Sequence, residues 1–210
     1  EGGNLSCGVG SIPGAISHVS ILDDKVAYQT IGDRSPIGIC GTGIVDLAAE
    51  LLKSKWMDET GLLDDGYFET GFVITDIPYD NKVESNESGQ IIVTQKDIRE
   101  LQLAKSAVRA GVEILIRRYG TSYDQIKTVY LAGGFGYKMN IEKAISIGLL
   151  PKELEGKIIA VGNSSLAGAV EYLMKEDAAI RMEQIRAASE EIHLSNDEDF
   201  NDLYIRYMNF

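Results

Sequence analysis

The chain has 210 residues, of which 44% are hydrophobic, 25% charged and 8% aromatic, a globular composition that excludes a disordered, collagenous or coiled-coil chain. Its 20 basic and 32 acidic residues give a net charge of −12, which would repel phosphate backbones and anionic lipids. Nucleic acid and membrane surfaces are therefore poor candidates for partners. The length suggests one large domain, or one lobe of a two-lobed protein with an appendage.

The two cysteines, Cys7 and Cys40, are too few for a zinc quartet or a four-thiolate iron–sulfur site. They favour a reducing, cytoplasmic location. No apolar run in the sequence approaches the roughly 20 residues that are needed to span a bilayer. The first four residues contain no initiator methionine and read as a loop, so we expect a fragment or a processed piece of a longer protein.

The first ninety residues predict a strand pair, a helix and a loop region. β-Branched residues alternate over 15–31 around Asp23-Asp24, which predicts two strands joined by a turn. From residue 43 to 57 the apolar positions recur at helical spacing, so a helix should begin at or just after Gly41-Thr42-Gly43. Residues 58–90 contain many glycines and predict loops, with strands possible at 72–77 and 90–93.

The second half predicts a long helix and then alternating strands and helices. Thr94 and Asp97 have the spacing of a capping box, and the helix should run to about Arg118 and be closed by Gly120. A buried-type strand is expected at 128–132, a second strand at 157–161, and helices follow both strands, at 141–147 and through residue 174. This order is typical of an α/β layered sheet, whose ligands lie beyond the carboxyl ends of the strands.

The last 36 residues form an acidic tail that is expected to be helical in its first part. Its closing apolar positions recur at helical spacing, which indicates a terminal helix docked on the core rather than a partner-binding motif. These positions are Phe200, Leu203, Tyr204, Tyr207, Met208 and Phe210. We therefore expect residues 176–210 to pack on the same domain as residues 1–175.

Three glycine turns share one layout and are candidates for binding a nucleotide. Residues 38–43 precede a predicted helix, whereas residues 133–136 and 162–165 each follow a predicted strand. Glycine lets backbone amides approach an anion or a flat ring, and a helix N-terminus adds partial positive charge. Each motif on its own is also compatible with a tight turn of no further function.

The long helix carries a narrow polar stripe. At about 100° per residue, four polar residues fall on one line, and we call them the polar strip: Gln102, Lys105, Ser106 and Arg109. The adjoining apolar stripe is expected to be buried: Leu101, Ala104, Val108 and Leu115. The polar strip could hold an adenine ring and its ribose, and a solvated basic face is the open alternative.

Other candidates for chemistry are weak. His18 and His193 have no cysteine or aspartate at ligand spacing, so no metal site is predicted. Cys40 is expected to be an inert packed thiol, although a thiol before a helix can have a lowered pKa. No Ser/His/Asp or Cys/His arrangement can be argued from spacing, and the catalytic residues stay unknown.

Six distinctive motifs follow one another along the chain: EGGNLSCG (1–8), GICGTGIVD (38–46), TQKDIRELQLAKSAVRAG (94–111), LAGGFG (131–136), IGLLP (147–151) and VGNSSLAGA (161–169). They resemble the C-terminal domain of the reductive activators of corrinoid proteins, from residue 1 to about 173, with a compatible tail. More distantly, the chain is similar to the activators of 2-hydroxyacyl-CoA dehydratases. Both families belong to the superfamily of acetate kinase, sugar kinases, heat-shock ATPases and actin.

The resemblance implies a ribonuclease-H-like lobe, incomplete at its N-terminus and followed by a helical tail, with a nucleotide held between two lobes. It implies four groups of binding residues. These are the adenosine-binding turn of Gly133, Gly134, Phe135 and Gly136, the polar strip as the helix that clamps adenine, the second-lobe turn of Gly41, Thr42 and Gly43, and Asn163 and Ser164 beside the base.

The resemblance also implies a function. The full-length protein would use ATP with Mg²⁺ to return an inactive cob(II)amide corrinoid protein of a methyl-transfer system to the cob(I)amide state. Electrons would come from a 2Fe–2S cluster in an N-terminal domain that this sequence lacks. The phosphate loop Asp-x-Gly-Thr is also absent, so this chain by itself is expected to be inactive and to bind nucleotide weakly or not at all. A homodimer is possible. The alternatives are a non-catalytic nucleotide-binding or dimerisation module and a sugar or acid kinase.

Overall fold

The computed structural model describes residues 4–76 and 89–210. The strands are β1 (Ala15–Leu22), β2 (Lys25–Thr30), β3 (Gly38–Ile39), β4 (Phe72–Asp76), β5 (Gln90–Val93), β6 (Val129–Ala132) and β7 (Ile158–Gly162). The α-helices are α1 (Gly41–Lys53), α2 (Asp65–Phe68), α3 (Gln95–Arg118), α4 (Gly133–Lys138), α5 (Ile141–Ser146), α6 (Ser164–Met174), α7 (Ala178–Ala188) and α8 (Phe200–Arg206). The α/β prediction is confirmed, and residue 77 of the predicted strand 72–77 lies outside the described residues.

The described strands form three separate sheets rather than one. The first has the order β2-β1-β3, the second pairs β4 with β5 in antiparallel fashion, and the third pairs β6 with β7 in parallel. The predicted turn between β1 and β2 is confirmed. Asp23 and Asp24 both adopt left-handed backbone angles, with φ of 49° and 59°, as a two-residue hairpin turn requires.

Helix α1 packs closely against the first sheet because two of the first three residues of the helix are glycines. A Cβ on Gly43 would lie 2.3 Å from the carbonyl oxygen of Ile16, so only glycine lets the helix approach β1 this closely. The hydroxyl of Thr42 donates to the carbonyl oxygen of Ser17 at 2.9 Å. The residues 41–51 are all buried, and they place the N-terminus of α1 in the interior of the domain.

A buried charge cluster joins α1, β1 and α5. Lys143 Nζ lies 2.9 Å from Glu50 Oε1 and 3.6 Å from Asp46 Oδ2, and it donates to the carbonyl oxygen of Val19 at 2.5 Å. Both carboxylates are almost fully buried. The cation of α5 therefore balances two buried carboxylates, of which Asp46 also has the ring nitrogen of His18 at 3.2 Å.

Helix α3 begins and ends where the sequence predicts. The Thr94 hydroxyl accepts from the backbone N–H of Asp97, and the Asp97 carboxylate accepts from the backbone N–H of Thr94, which completes the capping box. The same carboxylate accepts from the backbone N–H and the hydroxyl of Ser6 at 2.7 and 2.6 Å. The cap of α3 thus also anchors the N-terminal loop. Gly120, with a φ of 71°, closes the helix.

The buried face of α3 differs from the prediction. Of the apolar stripe only Leu101 is buried, whereas Ala104 is exposed and Val108 and Leu115 are 49% and 53% exposed. The polar strip is the buried face instead, because α8 and the residues that follow it cover that side of the helix. Spacing gives the angular position of a stripe but does not say which neighbour covers it.

The tail docks on α3 through a small apolar cluster. Leu203 of α8 packs against Ala110 and Ile114 of α3. Helix α8 thus lies on α3, and residues 178–188 form a helix earlier in the tail. The packing of the whole tail 176–210 on the same domain stays a prediction.

The third sheet is open on one side. Residues of β6 are alternately half-buried and exposed, so the prediction of a buried strand there is wrong. Among the described strands, β6 pairs only with β7. Helix α6 contains no buried residue, and Leu173 and Met174 are 82% and 78% exposed. An apolar face of this kind is typical of an interaction surface.

Within residues 4–76 and 89–210, no helix is long and apolar enough to cross a membrane.

Replacing Lys143 by methionine should destabilise the fold by about 3 to 5 kcal/mol near neutral pH, because two buried carboxylates lose their cation. Burial alone would raise the pKa of Glu50, but the hydrogen bond and charge of Lys143 and the backbone N–H of Ile21 hold this pKa below its usual range. A lowered carboxyl pKa contributes stability above the unfolded-state value, and this contribution is lost as the pH falls through the folded-state value. The difference between parent and variant should therefore shrink in acid.

Urea unfolding at neutral pH and near pH 4 measures both effects. The exposed Lys152→Met variant is the control and should change the free energy of unfolding by no more than about 0.5 kcal/mol. A loss for Lys143→Met below about 1 kcal/mol, the range of a surface ion pair, would contradict the proposed role of the cluster. So would a loss that is the same at both pH values.

Candidate functional site

A cavity of about 700 Å³ lies between the N-terminus of α1, the middle of α3 and the start of α4. Three residues of three separate predicted motifs line it: Gly41, Lys105 and Phe135. Its wall is otherwise mostly apolar, with Ile44, Val45, Leu101 and Leu149 among the lining residues, and Glu100 and Asn4 add polar groups. The volume falls within the range of small-molecule binding sites.

Two of the glycine turns meet at this cavity. A Cβ on Gly41 would lie 2.7 Å from Cε2 of Phe135, which is closer than carbon atoms can approach without displacement. The ring of Phe135 therefore lies on bare main chain at the first residue of α1. The other two residues of this turn, Thr42 and Gly43, contact β1 rather than the cavity.

The glycines of the second turn follow the carboxyl end of strand β6, as the order of strands and helices predicts. Gly133 has a φ of 87°, and an ideal Cβ on Gly134 would have no heavy atom within 4 Å. Gly136 is buried, and its Cβ would lie 3.2 Å from Cβ of Leu131. The backbone at 133–134 is thus open to a ligand, whereas Gly136 is needed for packing.

The third glycine turn lies beside the second. Ala132 of β6 is paired with Gly162 of β7, and a Cβ on Gly162 would lie 3.7 Å from the ring of Tyr137 in α4. The Asn163 side chain caps α6 by accepting from the backbone N–H of Leu166 at 3.0 Å. Ser164, the first residue of α6, is exposed. Neither Asn163 nor Ser164 lines the 700 Å³ cavity.

The polar strip of α3 binds main-chain carbonyl groups of the last residues. Lys105 Nζ donates to the carbonyl oxygens of Tyr207 and Asn209 at 2.7 and 2.5 Å. Gln102 Nε2 donates to the carbonyl oxygen of Met208 at 2.9 Å, and the Ser106 hydroxyl donates to that of Tyr204. We call residues 204–210 the C-terminal segment.

Two aromatic rings of the C-terminal segment face the two cations of the strip. Lys105 Nζ lies 5.0 Å from the ring centre of Phe210, and Arg109 Cζ lies 4.6 Å from that of Tyr207. Both distances are within the range of cation–π attraction. Sequence reasoning missed this occupant because its acceptors are backbone carbonyl groups, which leave no signal in the side-chain pattern.

The charges of the strip are unevenly balanced. Arg109 forms an ion pair with Glu113 at 2.8 Å, and Glu113 also accepts from the hydroxyl groups of Tyr123 and Tyr207. Lys105 is 1% exposed, and in the described part of the chain no carboxylate lies within 4.0 Å of its ammonium group. Burial, with a smaller effect of Arg109, lowers the pKa of Lys105 to about 8. The strip therefore holds one buried cation without an anionic partner.

The cysteines and histidines form no further site in the described residues. Cys40 is buried with its Sγ 3.4 Å from the Thr42 hydroxyl, and burial, with the nearby charge of Asp97, raises the pKa of Cys7 to about 12. His18 Nδ1 lies 3.2 Å from the buried Asp46 carboxylate. The structure, over the ranges it describes, groups no three His, Cys, Asp or Glu residues that could hold a metal ion.

Comparison with known families decides what kind of domain this is. The family described as the C-terminal domain of RACo, the ASKHA domain, matches residues 1–210. The chain belongs to this family. The glycine turns, the long helix α3 and the cavity between them are thus features of a RACo C-terminal domain, and the α/β architecture is that of an ASKHA domain.

Individual relatives agree with this assignment. The chain is 32% identical over 222 residues to the corrinoid activation enzyme RamQ of Eubacterium limosum, covering 98% of this chain and 36% of that protein. It is 25% identical over 229 residues to the [Co(II) methylated amine-specific corrinoid protein] reductase of Methanosarcina barkeri, covering 98% of this chain and 39% of that protein.

A solved structure is similar over the whole chain. The reductive activator for corrinoid,iron-sulfur protein superposes with a TM-score of 0.86 at 34% identity, covering 100% of this chain and 34% of that one. The RACo C-terminal domain described here therefore spans between about a third and two-fifths of the length of these relatives.

Replacing Gly41 by alanine should displace the ring of Phe135, because the new Cβ would overlap it. Overpacking of this kind costs about 1 to 3 kcal/mol, which should appear as a lower free energy of unfolding in urea. Gly134→Ala is the matched control, since its Cβ would enter open space and should change stability by no more than about 0.5 kcal/mol. Equal stabilities of the two variants would show that the turns do not touch as described.

Proposed function

We propose that this domain is the nucleotide-binding part of an ATP-dependent reductive activator. The full-length protein would return inactive cob(II)amide corrinoid proteins to the cob(I)amide state. The match of the RACo C-terminal family to residues 1–210 carries this proposal. The names of the relatives in Eubacterium limosum and Methanosarcina barkeri support a corrinoid protein as the partner.

The cavity fits the base of a nucleotide better than its phosphates. Its wall is mostly apolar, as a purine requires, and the open main chain at Gly133 and Gly134 lies at the start of α4, whose Phe135 lines it. Of the polar strip, Lys105 lines the cavity, and among the described residues no carboxylate lies within 4.0 Å of its buried ammonium group. Asn163 and Ser164 do not line this cavity, so a contact between them and the base remains an expectation from the resemblance alone.

Mg²⁺ and the triphosphate require other residues. No group of three acidic or metal-binding side chains occurs in the described residues, and the sequence contains no Asp-x-Gly-Thr loop. We therefore assign metal and phosphate binding to the rest of the full-length protein. ATP would drive a conformational change of the full-length protein. It can do so only if ATP and its hydrolysis products bind two arrangements of the lobes with different affinities.

The iron–sulfur cluster also requires other residues. Cys7 and Cys40 are both buried and free, and two thiols do not fit a 2Fe–2S cluster with four cysteine ligands. The reducing electron would reach the corrinoid through a cluster in another domain of the full-length protein. Two buried free thiols are compatible with a cytoplasmic location.

A second candidate is a binding module without turnover. In the described structure the strip donors already have acceptors in the C-terminal segment, so the fold does not need a ligand to satisfy them. Such a module would bind ATP, or mediate dimerisation, without speeding corrinoid reduction. Calorimetric titration with ATP, compared with phosphate release, distinguishes the two.

The full-length protein tests the proposal directly. With a low-potential reductant present, ATP should accelerate conversion of the cob(II)amide absorption spectrum to that of cob(I)amide. Gly134→Val should abolish both this acceleration and ATP binding, because its branched side chain would fill the open space beside the backbone where we propose that the base lies. Gly10→Val, at another glycine with open space around it, should retain both.

Two results would contradict the proposal. If ATP had no effect on corrinoid reduction by the unmodified full-length protein, the proposed activator function would be wrong. Normal ATP affinity in Gly134→Val, with a cooperative melting transition, would remove residues 133–136 from the nucleotide site while leaving the function itself in place.

A further inference from the structure

We propose that the C-terminal segment is an internal competitor for the nucleotide, which occupies the polar strip in the closed state and leaves it when ATP binds. This inference rests on the proposed nucleotide-binding function. It assigns residues 204–210 a regulatory role in addition to their place in the fold. Four observations support it.

The first observation is that the donors of the strip are already in use. The carbonyl oxygens of the C-terminal segment accept from Gln102, Lys105 and Ser106. A ligand that used the same donors would have to replace these acceptors one for one. The segment and such a ligand therefore exclude each other at the strip.

The second observation is that the segment resembles a stacked base chemically. The rings of Phe210 and Tyr207 face the cations of Lys105 and Arg109 at 5.0 and 4.6 Å. A purine offers the same combination of a flat π-system and hydrogen-bond acceptors at its edge. The groups that hold the segment are thus also suited to a nucleotide.

The third observation is that no side chain of the segment is fully buried. Leu203, just before it, is buried, but none of residues 204–210 is, and Ile205 is 69% exposed. Helix α8 ends at Arg206, so residues 207–210 are not part of a helix or strand. Release of the segment would therefore withdraw no fully buried side chain from the core. It would break the polar contacts together with the partly buried packing of Phe210 on the main core and of Tyr204 and Tyr207 on the small cluster of α3 and α8.

The fourth observation is that Lys105 belongs to both the strip and the cavity. It lines the 700 Å³ cavity together with Gly41 and Phe135, and it also binds the segment. Its buried ammonium group has only neutral acceptors within 4.0 Å among the described residues. A base in the cavity that offered an acceptor to this group would compete with the two carbonyl oxygens for it, which would loosen the segment.

The test compares a loosened segment with a matched control in the full-length protein. The double variant Tyr207→Ala/Phe210→Ala removes both rings and leaves the strip unchanged, whereas Ile205→Ala alters an exposed side chain of α8. We expect the double variant to bind ATP with a roughly tenfold lower Kd, because closure by the segment reduces the apparent affinity. The control should bind like the parent. Isothermal titration calorimetry measures all three.

A second measurement reports on the segment itself. An amine-reactive ester should label Lys105 several times faster in the double variant than in the parent, and saturating ATP should protect it. In the unmodified protein, ATP should increase hydrogen exchange at the amides of residues 204–210. This exchange experiment needs no variant, so it decides the matter even if the double variant does not fold.

The outcomes separate the two proposals. ATP binding with unchanged or weaker affinity in a folded double variant would overturn competition and leave the nucleotide site standing. The same holds if exchange at residues 204–210 stays constant or slows with ATP, or if Lys105 stays unlabelled without the rings. No ATP binding by the parent or by the double variant would overturn both proposals, whereas binding by the double variant alone would support both.

Discussion

The burial of Lys105 is the constraint on which the candidate site depends. An ammonium group removed from water loses several kcal/mol of hydration unless other groups solvate it. Here two main-chain carbonyl oxygens and the ring of Phe210 do so, and no carboxylate of residues 4–76 or 89–210 lies within 4.0 Å. These contacts help to hold the last residues on one side of α3, and the same Lys105 lines the cavity.

Local signals in the sequence were enough to define several elements. The capping box at Thr94 and Asp97 and the closing Gly120 determine the ends of α3 because they act through the nearest backbone groups. Asp23 and Asp24 fix the hairpin turn in the same way. These features depend on residues a few positions apart, so no knowledge of the tertiary structure is needed to predict them.

Features that depend on distant neighbours could not be predicted in this way. Val108 and Leu115 have the pattern of a core face and yet are exposed, while the polar side of the same helix is covered. The polar side is covered because its donors bind backbone carbonyl oxygens about 100 residues further along the chain. The pairing of β6 with β7 as a separate, partly open sheet is likewise a property of the whole fold rather than of either strand.

The contact between Gly41 and Phe135 has a mechanical consequence. An aromatic ring that rests directly on backbone has no intervening side chain that could absorb a displacement by changing its rotamer. Protein interiors are stiff, so a tilt of α4 would be passed to the first peptide group of α1 almost undiminished. The two parallel strand pairs, β1 with β3 and β6 with β7, are thus coupled through this contact between α1 and α4.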